Sequence, residues 1–148
     1  MSVAHELPPV DYTPGIRLLA RLARVAEQSC QLTGISLPQY RLLVSVSGGP
    51  QRASELAARV GVSRPTLTSL VDGLEQAGLL KRVPVPTDRR GIELVPTEEG
   101  LEAVERADSA LTRRMLELVG PEKVARVGSL ISDVVTALDR EGEELVAR

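Results

Sequence analysis

Apolar residues recur along most of this chain at intervals of three and four, the spacing of one face of an α-helix. The rhythm changes once, between Gly78 and Thr97, where Val83 and Val85, then Ile92 and Leu94, alternate with polar or proline neighbours. That order confines the fold to helices arranged around one β-hairpin. Tyr12 and Tyr40 are the only aromatic residues, so the core must be assembled from Leu, Val, Ile and Ala, a mixture suited to interlocking helices rather than to a β-sandwich. A length of 148 residues with 43% apolar content is enough for one compact unit.

Several function classes are set aside at once. A single cysteine, Cys30, rules out an intramolecular disulfide, and Met1 to Pro9 has neither the basic segment nor the apolar run of a secretion signal. No apolar stretch approaches the roughly 20 residues that span a bilayer, so a soluble, cytoplasmic protein with no membrane partner is expected. Catalysis is not expected either. The only histidine is His5, near the start, no metal-ligand cluster is present, and no glycine-rich phosphate loop follows a strand. The pair Glu98 and Glu99 is explained by the dipole of the helix it opens. No metal and no cofactor are expected.

The periodicity predicts a first helix from Pro14 to Leu32, opened by proline and closed by Gly34. Ser36-Leu37-Pro38-Gln39 has the form of a capping box, and the helix it starts should end before Gly48. A short helix, Ala53 to Val60, halts at Gly61. Ser63 then caps another, with Leu67, Leu70, Val71, Leu74 and Ala77 on its inner side, which stops at Gly78. Two helices joined by a tight glycine turn form a helix-turn-helix. The hairpin that follows has a basic tip, Pro86-Thr87-Asp88-Arg89-Arg90-Gly91. Thr97 should cap a helix ending near Val119, and Gly120-Pro121 makes the corner into a last helix. The predicted class is therefore mostly α (α+β): a winged helix-turn-helix with a two-stranded β-wing, flanked by long N- and C-terminal helices.

The helix after Ser63 presents an unusual outer face. Pro65, Ser69, Asp72 and Gln76 point away from the leucines, flanked by Arg64, Thr66, Thr68 and Gly73. Short hydroxyls with little bulk suit a helix that lies in a major groove, because they reach base edges or phosphates without holding the backbone off. A merely solvated face accounts for the same residues about as well. The hairpin shifts the balance, since Arg89 and Arg90 project at a turn beside Asp88, and a narrow, negative minor groove is a natural partner for such a tip. Charge is distributed accordingly: net +1 over 1–49, +2 over 50–95 and −5 over 96–148, for a total of −2.

Ser54-Glu55-Leu56-Ala57, Val62-Ser63-Arg64-Pro65-Thr66-Leu67-Thr68, Leu70-Val71-Asp72-Gly73-Leu74-Glu75, Gly78-Leu79, Lys81-Arg82, Asp88-Arg89-Arg90 and Leu94-Val95-Pro96-Thr97-Glu98-Glu99-Gly100 together resemble the MarR family of regulators. Asp-Arg-Arg leading through a strand to Thr-x-x-Gly is the most specific part. The resemblance implies that the recognition helix enters the major groove, that Arg90 reaches the minor groove with Asp88 bracing it, and that the terminal helices form an obligate dimer. This chain departs from the family pattern at Ser69 and Gly73, where basic residues are frequent, and at Arg52, where a Ser or Thr cap is usual. The missing cap should weaken that helix start by ~1 kcal/mol.

Expected DNA-contacting residues are Ser63, Arg64, Pro65, Thr66, Thr68, Ser69, Arg89 and Arg90, with Asp88 supporting the wing. The terminal helices carry heptad-like stripes, Leu101, Val104, Leu111, Met115 and Leu118 in one and Val124, Val127, Ile131, Val134, Leu138 and Leu145 in the other, with Asp108 and Glu141 intruding. Such seams pack within a subunit or across a twofold axis. Stripes at both chain ends exceed what a small central domain can cover, which favours the twofold, with Leu18, Leu22, Leu118, Val127, Ile131, Val134 and Leu138 as pairing residues. The division expected is 1–34 and 97–148 for dimerisation and 35–96 for DNA binding. The function expected is a homodimeric, nucleoid-associated repressor that binds a pseudo-palindromic operator in double-stranded DNA and is released by a small-molecule effector. The alternative is a winged-helix protein-docking module that does not bind DNA. Cys30, on an apolar stripe at the end of the first helix, reads as an inert buried thiol in preference to a redox sensor, and Tyr40 as a core or dimer residue in preference to a ligand contact.

Overall fold

The computed structural model describes residues 13–49, 51–85 and 91–146. In chain order these form α1 (Thr13–Gln31), α2 (Leu37–Ser47), β1 (Gln51–Arg52), α3 (Ala53–Val60), α4 (Arg64–Gln76), β2 (Leu80–Pro84), β3 (Ile92–Pro96), α5 (Glu98–Val119) and α6 (Pro121–Val146). Helix ends fall where the punctuation residues put them. Ser36 closes its capping box, its hydroxyl accepting from Gln39 N at 3.3 Å while its own N–H donates to Gln39 Oε1 at 2.8 Å. Gly61, Gly78 and Gly120 sit at φ +71°, +74° and +77°, the left-handed region that ends helices.

α2 is the hub of the fold, packed against α1, α3, α4, α5 and β3. Its Leu42, Leu43 and Val46 meet Leu56 and Val60 of α3, Leu67, Val71 and Leu74 of α4, and Leu80 and Leu94 of the wing in one continuous core. The sheet has three antiparallel strands in the order β1-β3-β2, with Arg82 opposite Leu94 in the wing. The two wing strands were expected; β1 was not. Its two residues pair Gln51 with Leu94 and Arg52 with Glu93, so Arg52 leads into α3 from a strand rather than from a capping turn.

α5 has an inward face in addition to the seam expected of it. Gly100, Ala103, Ala107 and Ala110 are the buried residues, and their small size lets α5 lie close against α1 and α2. Val104 and Leu111 pack partly against the core, whereas Leu101 and Leu118 are exposed, Leu118 by 47%. On α6, Ile131 and Val134 are 48% and 59% exposed. Leu18 and Leu19 of α1 are open as well, so most, though not all, of the large exposed apolar side chains among the described residues lie on α1, α5 and α6, with Leu32, Val44, Val83 and Ile92 elsewhere. Among the described residues, no helix is long and apolar enough to cross a membrane.

The wing joins the helices through a tight knot. Thr97 Oγ1 donates to Gly78 O at 2.7 Å and accepts from Gly100 N at 3.0 Å, while Thr97 N donates to Leu79 O at 3.2 Å. A Cβ at position 100 would stand 2.0 Å from Leu79 O, which is backbone and cannot swing aside. This is the physical content of the Thr-x-x-Gly signature. Gly100→Ala is expected to destabilise the protein by about 3 kcal/mol or more. Thr97→Ala should cost about 1–2 kcal/mol, and Thr97→Ser most of that less, as read from urea unfolding midpoints.

Candidate nucleic-acid interface

α3, the turn at Gly61 and Val62, and α4 make the helix-turn-helix. Val62 N donates to Ala57 O at 3.0 Å across the turn, and Ser63, extended at φ −69°, ψ 156°, caps α4 by accepting from Thr66 N at 3.3 Å. Leu67, Val71 and Leu74 anchor the inner side of α4. The opposite side holds Ser63, Arg64, Pro65, Thr66, Thr68 and Ser69, all exposed, so the structure brings these six expected residues onto one continuous surface.

The hydroxyls there are already engaged. Ser63 Oγ and Thr66 Oγ1 are 2.7 Å apart, Thr68 Oγ1 donates to Arg64 O at 3.1 Å, and Ser69 Oγ donates to Pro65 O at 3.2 Å. With the protons of Thr68 and Ser69 turned back into the helix, their outward lone pairs are acceptors, complementary to the amino groups of adenine and cytosine in a major groove. Rotation about the C–O bond converts either into a phosphate donor.

The wing strands lie beside α4, and the loop at their end is closed by Val85 N donating to Gly91 O at 2.9 Å. Asp88, Arg89 and Arg90 lie outside the described residues. Two carboxylates near the outer face of α4, Asp72 and Glu75, are bound by Arg82 of β2, which donates Nη2 to Asp72 Oδ1 and Nη1 to Glu75 Oε2. Arg82 was not among the expected site residues. The signal for it was present in the sequence as a cationic strand residue shortly after two carboxylates one helical turn apart.

A second polar link joins α2 to α5. Tyr40 Oη on α2 donates to Asp108 Oδ1 on α5 at 2.6 Å, which gives the intruding Asp108 of the seam its partner. Burial and the bond to that carboxylate push the Tyr40 phenol well above its ordinary range. Both residues border an apolar groove of about 370 Å³ between α5 and α6, walled by Leu111, Met115, Val127 and Ile131. Cys30 lies fully buried nearby.

A model described as "MarR family" matches residues 33–91. The regulator PecS of Dickeya dadantii is 32% identical over 127 residues, covering 79% of this chain and 76% of that one. The chain belongs to the MarR family. The fold agrees: the transcriptional repressor CouR, solved bound to a 23-mer DNA duplex, superposes with a TM-score of 0.69 at 23% identity, over 85% of this chain and 92% of CouR. PcaV of Streptomyces coelicolor, solved with its natural ligand, gives 0.63 at 26% identity over 89% and 99%. This MarR-family protein is a DNA-binding transcription regulator with a winged-helix fold.

Its one cysteine has the environment of an unreactive thiol. Burial raises the Cys30 pKa, and the charges of Glu27 and Asp108 raise it further, so the nucleophilic thiolate is scarce at neutral pH. Iodoacetamide at pH 8 is expected to alkylate native Cys30 more than about 100-fold more slowly than in denaturant. Equal rates would show that the thiol is open to solvent.

Proposed function

We propose that this regulator acts as a homodimer on a pseudo-palindromic operator, with each α4 in a major groove and each wing in the adjoining minor groove. The observation that carries the reading is the exposed, low-bulk surface formed by Ser63, Arg64, Pro65, Thr66, Thr68 and Ser69, backed by leucines that fix its orientation. Hydroxyl groups and Arg64 read base edges and phosphates there, while Arg89 and Arg90, with Asp88 as brace, supply the minor-groove contact.

Pairing through α1, α5 and α6 is supported by the apolar side chains left open on those helices. Leu18, Leu118, Ile131 and Val134 are exposed, and Leu22 and Val127 half-buried, in the single subunit. Leu138 lies further along α6. Their burial against a second copy removes apolar surface from water and sets two recognition helices about one DNA turn apart, ~34 Å. We accordingly assign 1–34 and 97–148 to dimerisation and 35–96 to DNA binding.

Repression released by a small molecule completes the proposal. CouR is named a repressor and PcaV was solved with its natural ligand. In this chain the groove between α5 and α6 ends at the Tyr40–Asp108 bond, so a molecule lodged there bears on the contact between the dimer helices and the hub helix α2. A shift at that contact changes the spacing of the two reading helices and therefore the fit to the operator.

Two measurements test this. Ile131→Glu places a charge in the proposed pairing face and is expected to yield monomers by analytical ultracentrifugation, with operator affinity reduced more than about 100-fold. A parent protein that is monomeric at micromolar concentration removes the dimer. Arg90→Ala is expected to weaken binding to all duplexes by roughly 10-fold and to flatten the dependence of log K on log salt by about one. Unchanged binding would leave the wing without its assigned role and favour the protein-docking alternative.

A further inference from the structure

The reading surface is less basic than its task suggests. Arg64 is the only cation on α4, whereas Asp72 and Glu75 add two negative charges toward its C-terminal half. Asp72 shares the outward side with Pro65, Ser69 and Gln76, and Glu75 flanks it one turn on. Like charges at that spacing destabilise a helix, and they repel a phosphate backbone, more strongly where solvent is thinned. A bare pair of carboxylates here opposes both the helix and the duplex.

Arg82 meets both with one side chain. Its two terminal nitrogens each take a different carboxylate, Nη2 that of Asp72 and Nη1 that of Glu75, a straddling geometry that suits the two separated nitrogens of a planar guanidinium. The backbone of Arg82 is fixed independently, since it sits in the middle of β2, paired opposite Leu94, which is fully buried. The fork therefore ties the wing strand to the reading helix across their exposed side.

We propose that Arg82 is a positioning residue of the DNA-binding surface, which offsets one of the two negative charges of Asp72 and Glu75 and draws both side chains toward the wing and away from the approaching phosphates. This rests on the reading that the outer side of α4 faces DNA. It explains how a helix without basic residues at Ser69 and Gly73 meets a polyanion: the opposing charge is masked from the neighbouring strand. Arg82 makes no base contact in this role, so its effect is the same for every duplex sequence.

The test is binding of the full-length protein to a fluorescent mixed-sequence duplex of about 30 base pairs, followed by anisotropy at about 100 mM salt. Arg82→Ala is expected to weaken binding about tenfold. Asp72→Asn with Glu75→Gln, keeping Arg82, is expected to tighten it about tenfold. The triple variant that combines all three changes should return to within about threefold of the parent, although the fork is gone, because the charges it masked are gone too. Thermal unfolding of each variant separates loss of fold from loss of affinity, and the carboxylate double variant decides the matter even where Arg82→Ala fails to fold. A double variant no tighter than the parent, or a triple variant as weak as Arg82→Ala, overturns the charge-masking role. Failure of the parent to bind any duplex would instead bring down the placement of α4 on DNA, and this inference with it.

Discussion

The close approach of Gly100 to the Leu79 carbonyl governs how the parts of this molecule are related. At that point the end of α4, the first wing strand and the first turn of α5 meet within a few atoms, and Thr97 stitches them by one hydroxyl that donates to Gly78 and accepts from Gly100. Because no side-chain atom intervenes at position 100, the start of α5 is held against backbone rather than against a flexible neighbour. The angle between reading helix and wing, and the direction in which α5 departs, are thus set by one joint.

α5 then divides its surface between two tasks. Its glycine and alanine side packs inward against α1 and α2, where small residues permit close helix approach, and its larger apolar residues are left partly or fully open. Folding of the subunit consumes the small side; the exposed leucines, with Ile131 and Val134 of α6, stay open in the single subunit. Two polar bonds mark the seams between these regions. Tyr40 to Asp108 connects the hub helix to α5, and Arg82 to Asp72 and Glu75 connects the wing to the reading helix. The first crosses between helices far apart in sequence and the second between consecutive elements, and each is a place where one part reports the position of another.

Most of the helices were legible because their ends are written in residues with specific backbone demands. Gly61, Gly78 and Gly120 require the left-handed region they occupy, and Ser36, Ser63 and Thr97 cap as their spacing to the following residues indicates. The exposed face of α4 was legible for the same reason, since helical period alone fixes which side the leucines leave free. β1 was not, because two residues carry no alternation to detect. The inward face of α5 was not legible: its leucine stripe reads as a pairing seam and leaves the alanines that pack inward unassigned, because periodicity reveals that a stripe exists but not which of two adjacent stripes the neighbouring helices cover. Arg82 escaped notice because pairing between a strand and a helix depends on how the wing folds back, a distance that spacing along the chain does not encode.

The central claim is that the hydroxyl-bearing side of α4 is the surface that meets DNA. It is tested most directly by amide chemical-shift changes in the isotope-labelled protein as a duplex is added. Changes concentrated at Ser63 to Ser69, with α6 from Pro121 to Val134 nearly unmoved, are the expected result. Changes confined to α5 and α6, with Ser63 to Ser69 untouched while the duplex is bound, would contradict it.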